Sequence, residues 1–369
     1  MRNLLIKQWK GLNNVEITFV LIGSSKHPVG GFKIVFEYAN RLVMCGHKVN
    51  IVFDCSKGAK IHQEIPGILR KLCYRLVVWY YPKWFALNPK VHKICAYTGI
   101  NDQELPDADF VCATAVGTAN DVAKLSINKG EKLYFIQGFE NWGRWTADAV
   151  KETYRLGMKN IVIAKWLEKI VLDSGADCVL IPNGIDFDVF NIDIPIASRK
   201  GHTVSMLYHE QVHKGSVYGI AALKKLKERY PDLQATLFGV PKRPDNLPAW
   251  IQYIQSATQP QLRQVYNQSK IYLCPSIKEG FGLTGAEAMA CGCAYVASDY
   301  GGVHEYAIDG RNVLLSPPKD VEGLVEHISY LFDHDDERIK LAQQGYEDIQ
   351  TLDWNRSVDK FEAVLKDFG

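Results

Sequence analysis

Short β-branched runs alternate with helix-length amphipathic segments along this chain, the pattern of parallel strands joined by crossover helices. In the first half, EITFVLIG (16–23), HKVNIVFD (47–54), FVCATA near 110, KLYFIQ near 132, NIVIAK near 160 and CVLIPN near 178 have the length and composition of strands. Between the first two, Ile34, Val35, Tyr38, Leu42 and Val43 recur at helical spacing, which predicts a helix from Gly31 to Cys45 that Gly46 ends. A second series runs through TVSMLYH near 203, LQATLFG, IQYIQ, IYLCPS and CAYVAS, interleaved with helical segments such as GSVYGIAALKKLKERY. The expected class is α/β, doubly wound, with two sheets rather than one.

Between the two series, residues 182–202 (PNGIDFDVFNIDIPIASRKGH) are rich in Pro, Asn, Asp and Gly and lack sustained periodicity, so they read as a linker with the boundary near Asp186. The expectation is an N-terminal domain over 1–186, a second over 187–353, and a final helix from about Trp354 to 369 that packs back on the first. A length of 369 residues fits two domains of about 150 residues each.

The net charge of +2 gives no support to a nucleic-acid partner, and none is expected. No run of about 18 apolar residues appears, and MRNLLIKQWKGLNN lacks the apolar core and cleavage site of a secretory signal, so a cytoplasmic chain is expected. The nine cysteines are scattered, and the C-x-C of Cys291 and Cys293 has no second pair or nearby His to complete a zinc site. They read as reduced core residues, and no metal is expected.

The strongest local signal is Glu279-Gly-Phe-Gly-Leu-Thr-Gly-Ala-Glu287, which follows the strand IYLCPS and opens a helical run. That places two carboxylates at the carboxyl edge of a parallel strand, where open α/β sheets bind ligands. Gly280 and Gly282 permit close approach of a ligand, and the amides that start a helix form an anion site. A carboxylate accepts hydrogen bonds from sugar hydroxyls and repels a bare phosphate, so the mixture suits a ligand with both parts. The alternative is a capping box in which Thr284 and Glu287 stabilise the helix and nothing binds.

The run E-G-F-G-L-x-x-x-E-A-M-A-C-G resembles the E-x7-E signature of the family 4 retaining glycosyltransferases, which have the GT-B fold of two Rossmann-like domains facing across a cleft. Pro28-Val-Gly-Gly31 with the following helix and Gly46-His47-Lys48-Val49 resembles that family's N-terminal glycine loop, helix and second strand. Ile163–Ile170 and Ile181–Asp186 resemble its end-of-domain pair, and Lys214-Gly215 and Ser298–Gly302 its second-domain landmarks. The resemblance covers about residues 16–320.

It implies a nucleotide-sugar donor without a metal or other cofactor, a glycan or lipid-linked acceptor, and a role in bacterial surface polysaccharide synthesis. Glu287 would hold the ribose and Glu279 the donor sugar. Lys214 and the amides of Phe281, Gly282, Leu283 and Thr284 would neutralise the diphosphate, with Gly30, Gly31 and Gly280 also around the donor. Two positions depart from the family: His209 stands where an Arg is usual, and Gln137 where a His is usual, so the catalytic set reads Glu279, Lys214 and Gln137. Glu140 and Trp142 are candidates for the acceptor side. A non-catalytic sugar-nucleotide-binding subunit and a nucleotide-sugar epimerase remain alternatives. Lys214 as a solvated lysine, Gly30-Gly31 as a plain turn and His47 as a structural residue are further ones.

Residues 70–93, RKLCYRLVVWYYPKWFALNPKVHK, contain no Asp or Glu and interleave Lys and Arg with Trp79, Tyr80, Tyr81, Trp84 and Phe85. They read either as a patch for an anionic membrane surface, peripheral on its inner face, or as a buried strand RLVVWYY with solvated flanks.

Overall fold

The computed structural model describes residues 14–56 and 66–367. The chain forms two units, one of Met1–Ile181 with Ser357–Gly369 and one of Pro182–Arg356. The division falls at Ile181, a few residues before the position near Asp186 that the linker composition suggested.

The first unit is built on a seven-stranded parallel sheet in the order β3-β2-β1-β4-β5-β6-β7. Its strands are β1 (Glu16–Leu21), β2 (Lys48–Asp54), β3 (His92–Ala96), β4 (Phe110–Ala113), β5 (Glu131–Ile136), β6 (Lys159–Val162) and β7 (Cys178–Leu180). β1 shows no alternation because both of its faces are covered, as in a parallel sheet with helices on each side. Helix α1 (Gly30–Met44) buries Ile34, Val35, Tyr38, Leu42 and Val43, the face that its periodicity marks.

Helix α2 (Gly67–Tyr80) takes the place of the strand expected over RLVVWYY. That run is the end of a longer segment in which apolar residues recur every three or four positions from Ile68, and Pro82 stops the helix just beyond it. The short β3, with basic residues at its start, gave no strand signal. Helices α3 (Val116–Ala123), α4 (Ala147–Tyr154) and α5 (Lys165–Asp173) complete the crossovers.

The second unit holds a six-stranded parallel sheet in the order β10-β9-β8-β11-β12-β13. It comprises β8 (Thr203–Leu207), β9 (Gln234–Gly239), β10 (Ile251–Gln255), β11 (Ile271–Cys274), β12 (Ala294–Ser298) and β13 (Leu314–Ser316). Around it lie α6 (Ser216–Arg229), α7 (Gln259–Gln268), α8 (Leu283–Ala290), α9 (Val321–Asp333) and α10 (Asp335–Ile349). Leu223, Leu226, Met206, Leu237, Val296, Ile328 and Leu331 form its core.

Residues 182–202 are part of this unit and not a free linker. Phe190 is buried, and the buried Arg199 guanidinium donates to the carbonyls of Tyr266 (3.2 Å) and Ser269 (2.7 Å). Hydrogen bonds to backbone carbonyls, rather than an apolar period, fix this segment, so its composition misled. The cysteines are free, as expected, but Cys45 and Cys73 are exposed and not core residues.

Helix α11 (Trp354–Lys366) begins in the second unit and from Ser357 onward belongs to the first. There Phe361 packs its ring 5.0 Å from Tyr38 and 5.9 Å from Phe19. Beside it, Glu362 Oε1 lies 2.9 Å from His47 Nε2, and both side chains are buried. The amide of Val15 donates to His47 Nδ1 (3.3 Å), so the ring's proton sits on Nε2 and is donated to the carboxylate. His47 is thus a structural tie. We expect His47→Ala to destabilise the protein by roughly 1.5–3 kcal/mol in denaturant unfolding, the loss of a buried hydrogen bond to a charged group. An unchanged midpoint would show that the tie contributes nothing.

Candidate functional site

In each sheet the strand order reverses direction once, between β1 and β4 and between β8 and β11. Loops at such a point diverge and leave a crevice at the carboxyl ends of the strands. The sequence motifs fall on the loops at these two places.

In the second unit the loop after β8 is folded on itself by Ser216. Its hydroxyl accepts from the His209 amide and donates to the His209 carbonyl, both at 2.9 Å. Gly215, with φ +64°, turns the chain into α6. A Cβ there would stand 1.9 Å from the Pro275 carbonyl oxygen, so only glycine lets the two loops approach. They are joined by the amides of Ile277 (2.8 Å) and Lys278 (3.2 Å), which both donate to the His213 carbonyl.

This join brings Lys214 to Glu279, Nζ to Oε1 3.3 Å, with the carboxylate nearly buried. Ser276 donates to the same oxygen at 2.6 Å. Lys214 is therefore paired and not simply solvated. His209, His213 and Lys278 crowd the same loops. Burial pushes all three below their ordinary pKa values, and the Lys214 charge adds to the depression of both histidines. His209 Nδ1 accepts from the Gln211 amide (3.0 Å), so a neutral ring carries its proton on Nε2, where it can donate to an anion.

Helix α8 starts at Leu283 with Gly282 as its N-cap, in left-handed conformation (φ +85°) and with no side-chain cap. Thr284 lies inside the helix, so the capping box is not formed and Glu287 has no part in one. The amides of Leu283 and Thr284 precede the first carbonyl of α8, whereas those of Gly285 (3.0 Å) and Ala286 (3.3 Å) donate to the Gly282 carbonyl, so the start of the helix turns backbone donors toward the β8–β11 crevice, where an anion could accept them. Gly280 and Glu279 are held by the neighbouring loop: Glu279 forms a parallel bridge with Gly301, and a Cβ on Gly302 would stand 2.6 Å from the Gly280 carbonyl oxygen. Glu287 is buried in the second turn of α8.

Sequence reading missed three tyrosines beneath this loop. The Tyr306 hydroxyl donates to the Gly282 carbonyl (2.8 Å) and lies 2.8 Å from that of Tyr300, which lies 2.8 Å from that of Tyr295. All are buried, and the Phe281 ring packs 5.3 Å from Tyr306. The chain fixes the cradle from below through them. Tyr295 lies in the apolar strand β12, and Tyr300 and Tyr306 in the loop that follows it, and neither setting names a partner in the sequence.

In the first unit, Gln137 at the end of β5 donates from Nε2 to the carbonyl of Gly31 (3.2 Å), at the start of α1. A Cβ on Gly31 would touch Gln137 at 3.4 Å, whereas one on Gly30 would meet nothing within 4 Å. Glu140 Oε2 accepts from the Val116 amide (3.0 Å) and so caps α3, which follows β4. Burial pushes its carboxyl up to about 7, opposed by that hydrogen bond. Trp142 is exposed. The structure thus gathers Gln137 with Gly31 and places Glu140 on the loop after the same strand, β5.

Residues 199–348 match the sequence profile described as "Glycosyl transferases group 1". The chain is 28% identical over 192 residues to a phosphatidyl-myo-inositol mannosyltransferase of Mycolicibacterium smegmatis, covering 49% of this chain and 50% of that protein. It is 25% identical over 216 residues to a D-inositol 3-phosphate glycosyltransferase of Corynebacterium glutamicum, covering 53% and 51%. The chain thus spans about half the length of the curated relatives it matches. Among solved structures, a sucrose-phosphate synthase from Thermosynechococcus elongatus superposes with TM-score 0.74 at 17% identity over 96% of this chain and 98% of its own. Anabaena HepE in complex with UDP and glucose gives 0.73 at 16% identity over 96% and 100%. The fold is that of these proteins, two Rossmann-like α/β domains of the GT-B class.

Glu140 sets a pH dependence. Its folded pKa of about 7 exceeds the unfolded value near 4.3, so the folded state holds the extra proton between them and stability falls as pH rises through that window. Glu140→Gln keeps an acceptor for Val116 and should flatten the melting temperature against pH between about 4.5 and 7. A parallel pair of curves would mean that the carboxyl is not buried as described.

Proposed function

We propose that the chain transfers a sugar from a nucleotide-sugar donor to a glycan or lipid-linked acceptor, with retention of anomeric configuration and without a metal. The observation that carries this reading is the Lys214–Glu279 pair beside the uncapped start of α8, at the point where the second sheet reverses order. That site offers a cation, backbone amides and two carboxylates, a set suited to a diphosphate on one side and hydroxyls on the other. The group 1 profile over residues 199–348 supports it, as do relatives whose names state mannosyl and glycosyl transfer.

In this reading the first-turn amides of α8, Lys214 and the Nε2–H of His209 face the diphosphate, Glu287 the ribose and Glu279 the sugar. The acceptor hydroxyl oxygen bonds to the anomeric carbon as the bond from that carbon to the diphosphate oxygen breaks. The electron pair leaves with the diphosphate, and the acceptor's proton passes to it on the same face. Cations and amides fixed around the leaving group stabilise the charge that grows there in the transition state. An arriving diphosphate competes with Glu279 for Lys214, so this pair is rearranged on binding.

The assignments to Gly30, Gly31, Gln137, Glu140 and Trp142 belong to the same proposal. Gln137 can donate to a sugar or acceptor oxygen but cannot exchange a proton as His can, and the mechanism asks no proton of it. Glu140, with its raised pKa, is placed on the acceptor side with Trp142. The reaction fits the assembly of a bacterial surface glycan on the inner face of a membrane.

The deciding experiment incubates the protein with UDP-, GDP- and dTDP-sugars and separately measures binding, transfer or hydrolysis, and epimerised product. Transfer or hydrolysis supports the proposal; an epimerised product, or binding without turnover on any acceptor, replaces it with one of the two alternatives.

Two variants probe the site. Glu287→Ala should weaken nucleoside diphosphate binding by about 1–3 kcal/mol in calorimetry, the loss of hydrogen bonds to a charged group. A lower melting temperature with unchanged affinity would make Glu287 structural only. For His209, the free protein holds the pKa down, and a diphosphate at Nε2 would raise it, so donor binding takes up a proton and should tighten as pH falls from about 8 to 6. His209→Arg should bind with that dependence flattened. Parallel affinity curves for wild type and His209→Ala, measured with an intact sugar nucleotide, would remove His209 from the diphosphate.

A further inference from the structure

Helix α2 lies on the first unit with an unusual outer face. Val78 is its buried residue, while Ile68 (87% exposed), Leu69, Leu72, Leu76, Trp79 (73% exposed) and Tyr80 all stand out to solvent. These positions recur every three or four residues and so form one stripe down the helix. The other side is anchored: Arg70 Nε donates to the Tyr97 hydroxyl (2.6 Å), and the Tyr74 and Tyr97 rings lie 6.2 Å apart. The stripe is therefore held outward by a fixed inner face.

Charge follows the same side. Lys71 and Arg75 border the stripe on the helical wheel, and Lys83 follows it, its ammonium 3.7 Å from the centre of the Tyr80 ring. Lys93 Nζ reaches back to the Tyr81 carbonyl (2.9 Å) and to that of Trp79, tying down the end of the helix. From Pro66 to Asn101 the sequence has Arg70, Lys71, Arg75, Lys83, Lys90 and Lys93 and no Asp or Glu. At 14 residues, or about 21 Å at 1.5 Å per residue, α2 is too short for a hydrocarbon layer of about 30 Å, and no described helix is long and apolar enough to cross a membrane.

We propose that this face of α2 docks the protein on an anionic lipid surface, the helix lying in the interface with its stripe at the boundary between headgroups and acyl chains and its cations at the headgroups. Aromatic residues at one end of the stripe, Trp79 and Tyr80, are the side chains that favour that depth. Charge complementarity selects lipid over a second copy of the chain. A two-fold pairing of α2 faces sets the same cations against one another with no Asp or Glu between Pro66 and Asn101 to offset them, and Glu104 just beyond already interacts with Lys71 of its own copy, whereas anionic headgroups neutralise them. The inference rests on α2 and its flanks and needs nothing from the transfer chemistry.

The test is sedimentation with vesicles of phosphatidylcholine, alone or mixed with phosphatidylglycerol. Wild type should pellet with the mixed vesicles, poorly with phosphatidylcholine alone, and lose binding as salt shortens the Debye length from about 8 Å. Leu72→Asp with Leu76→Asp should stay in the supernatant. Lys83→Glu with Lys90→Glu should lower the partition coefficient about fivefold or more per position. Leu72, Leu76, Lys83 and Lys90 all lie on exposed surface, so melting temperatures should be unchanged. Equal recovery of wild type and both variants overturns the proposal. So does a lipid-free dimer in light scattering that Leu72→Asp with Leu76→Asp dissolves, which would give the face to a second copy.

Discussion

A methyl group on residue 215 would stand 1.9 Å from the carbonyl oxygen of Pro275, and the second unit is arranged around its absence. Because Gly215 carries none, the loops that follow β8 and β11 close to hydrogen-bonding distance and the His213 carbonyl collects two amides from the other loop. Lys214 and Glu279 come from strands adjacent in space but far apart in sequence, and this contact is what pairs them. Parallel strands make it effective, since all of their carboxyl ends, and hence these loops, open at one edge.

A second glycine works with the first. Gly282 takes a left-handed conformation that starts α8 without a capping side chain, and the Tyr306 hydroxyl holds its carbonyl from below. A Cβ at 282 would stand 2.1 Å from the Tyr300 hydroxyl, so the tyrosine cluster and the glycine require each other. What results is a rigid cradle of amides with His209, His213, Lys214 and Lys278 close by. Burial lowers the pKa values of His209, His213 and Lys278, and the Lys214 charge adds to the depression of both histidines, so holding positive charge in these loops costs the fold free energy.

The first unit applies the same geometry to different side chains. Gln137 is fixed on Gly31 and Glu140 on the amide of Val116, so polar groups at the β1–β4 reversal are satisfied by helix starts. Its C-terminal closure depends on the His47–Glu362 contact, made by a helix that begins in the other unit. Against this interior economy, α2 leaves six large apolar or aromatic side chains on its surface, an arrangement that water alone does not favour.

The sequence by itself determined the class of fold, most of its strands and the face of α1, because β-branched runs and helical periodicity are local consequences of burial on two sides or one. It also marked Glu279, Gly280, Gly282 and Glu287, since glycines between carboxylates have few uses in a helix start. Only the tertiary structure decided that Thr284 and Glu287 form no capping box, since that depends on which residue adopts the left-handed turn. RLVVWYY is helical because it closes a segment of helical period that begins at Ile68, while only the structure showed that residues 182–202 pack against their unit through Arg199 and Asn267. The pairing of Lys214 with Glu279 and of the three tyrosines with Gly282 was hidden for the same physical reason. A hydrogen bond between residues distant in the chain leaves no period in the sequence, and only the sheet's strand order brings its partners together.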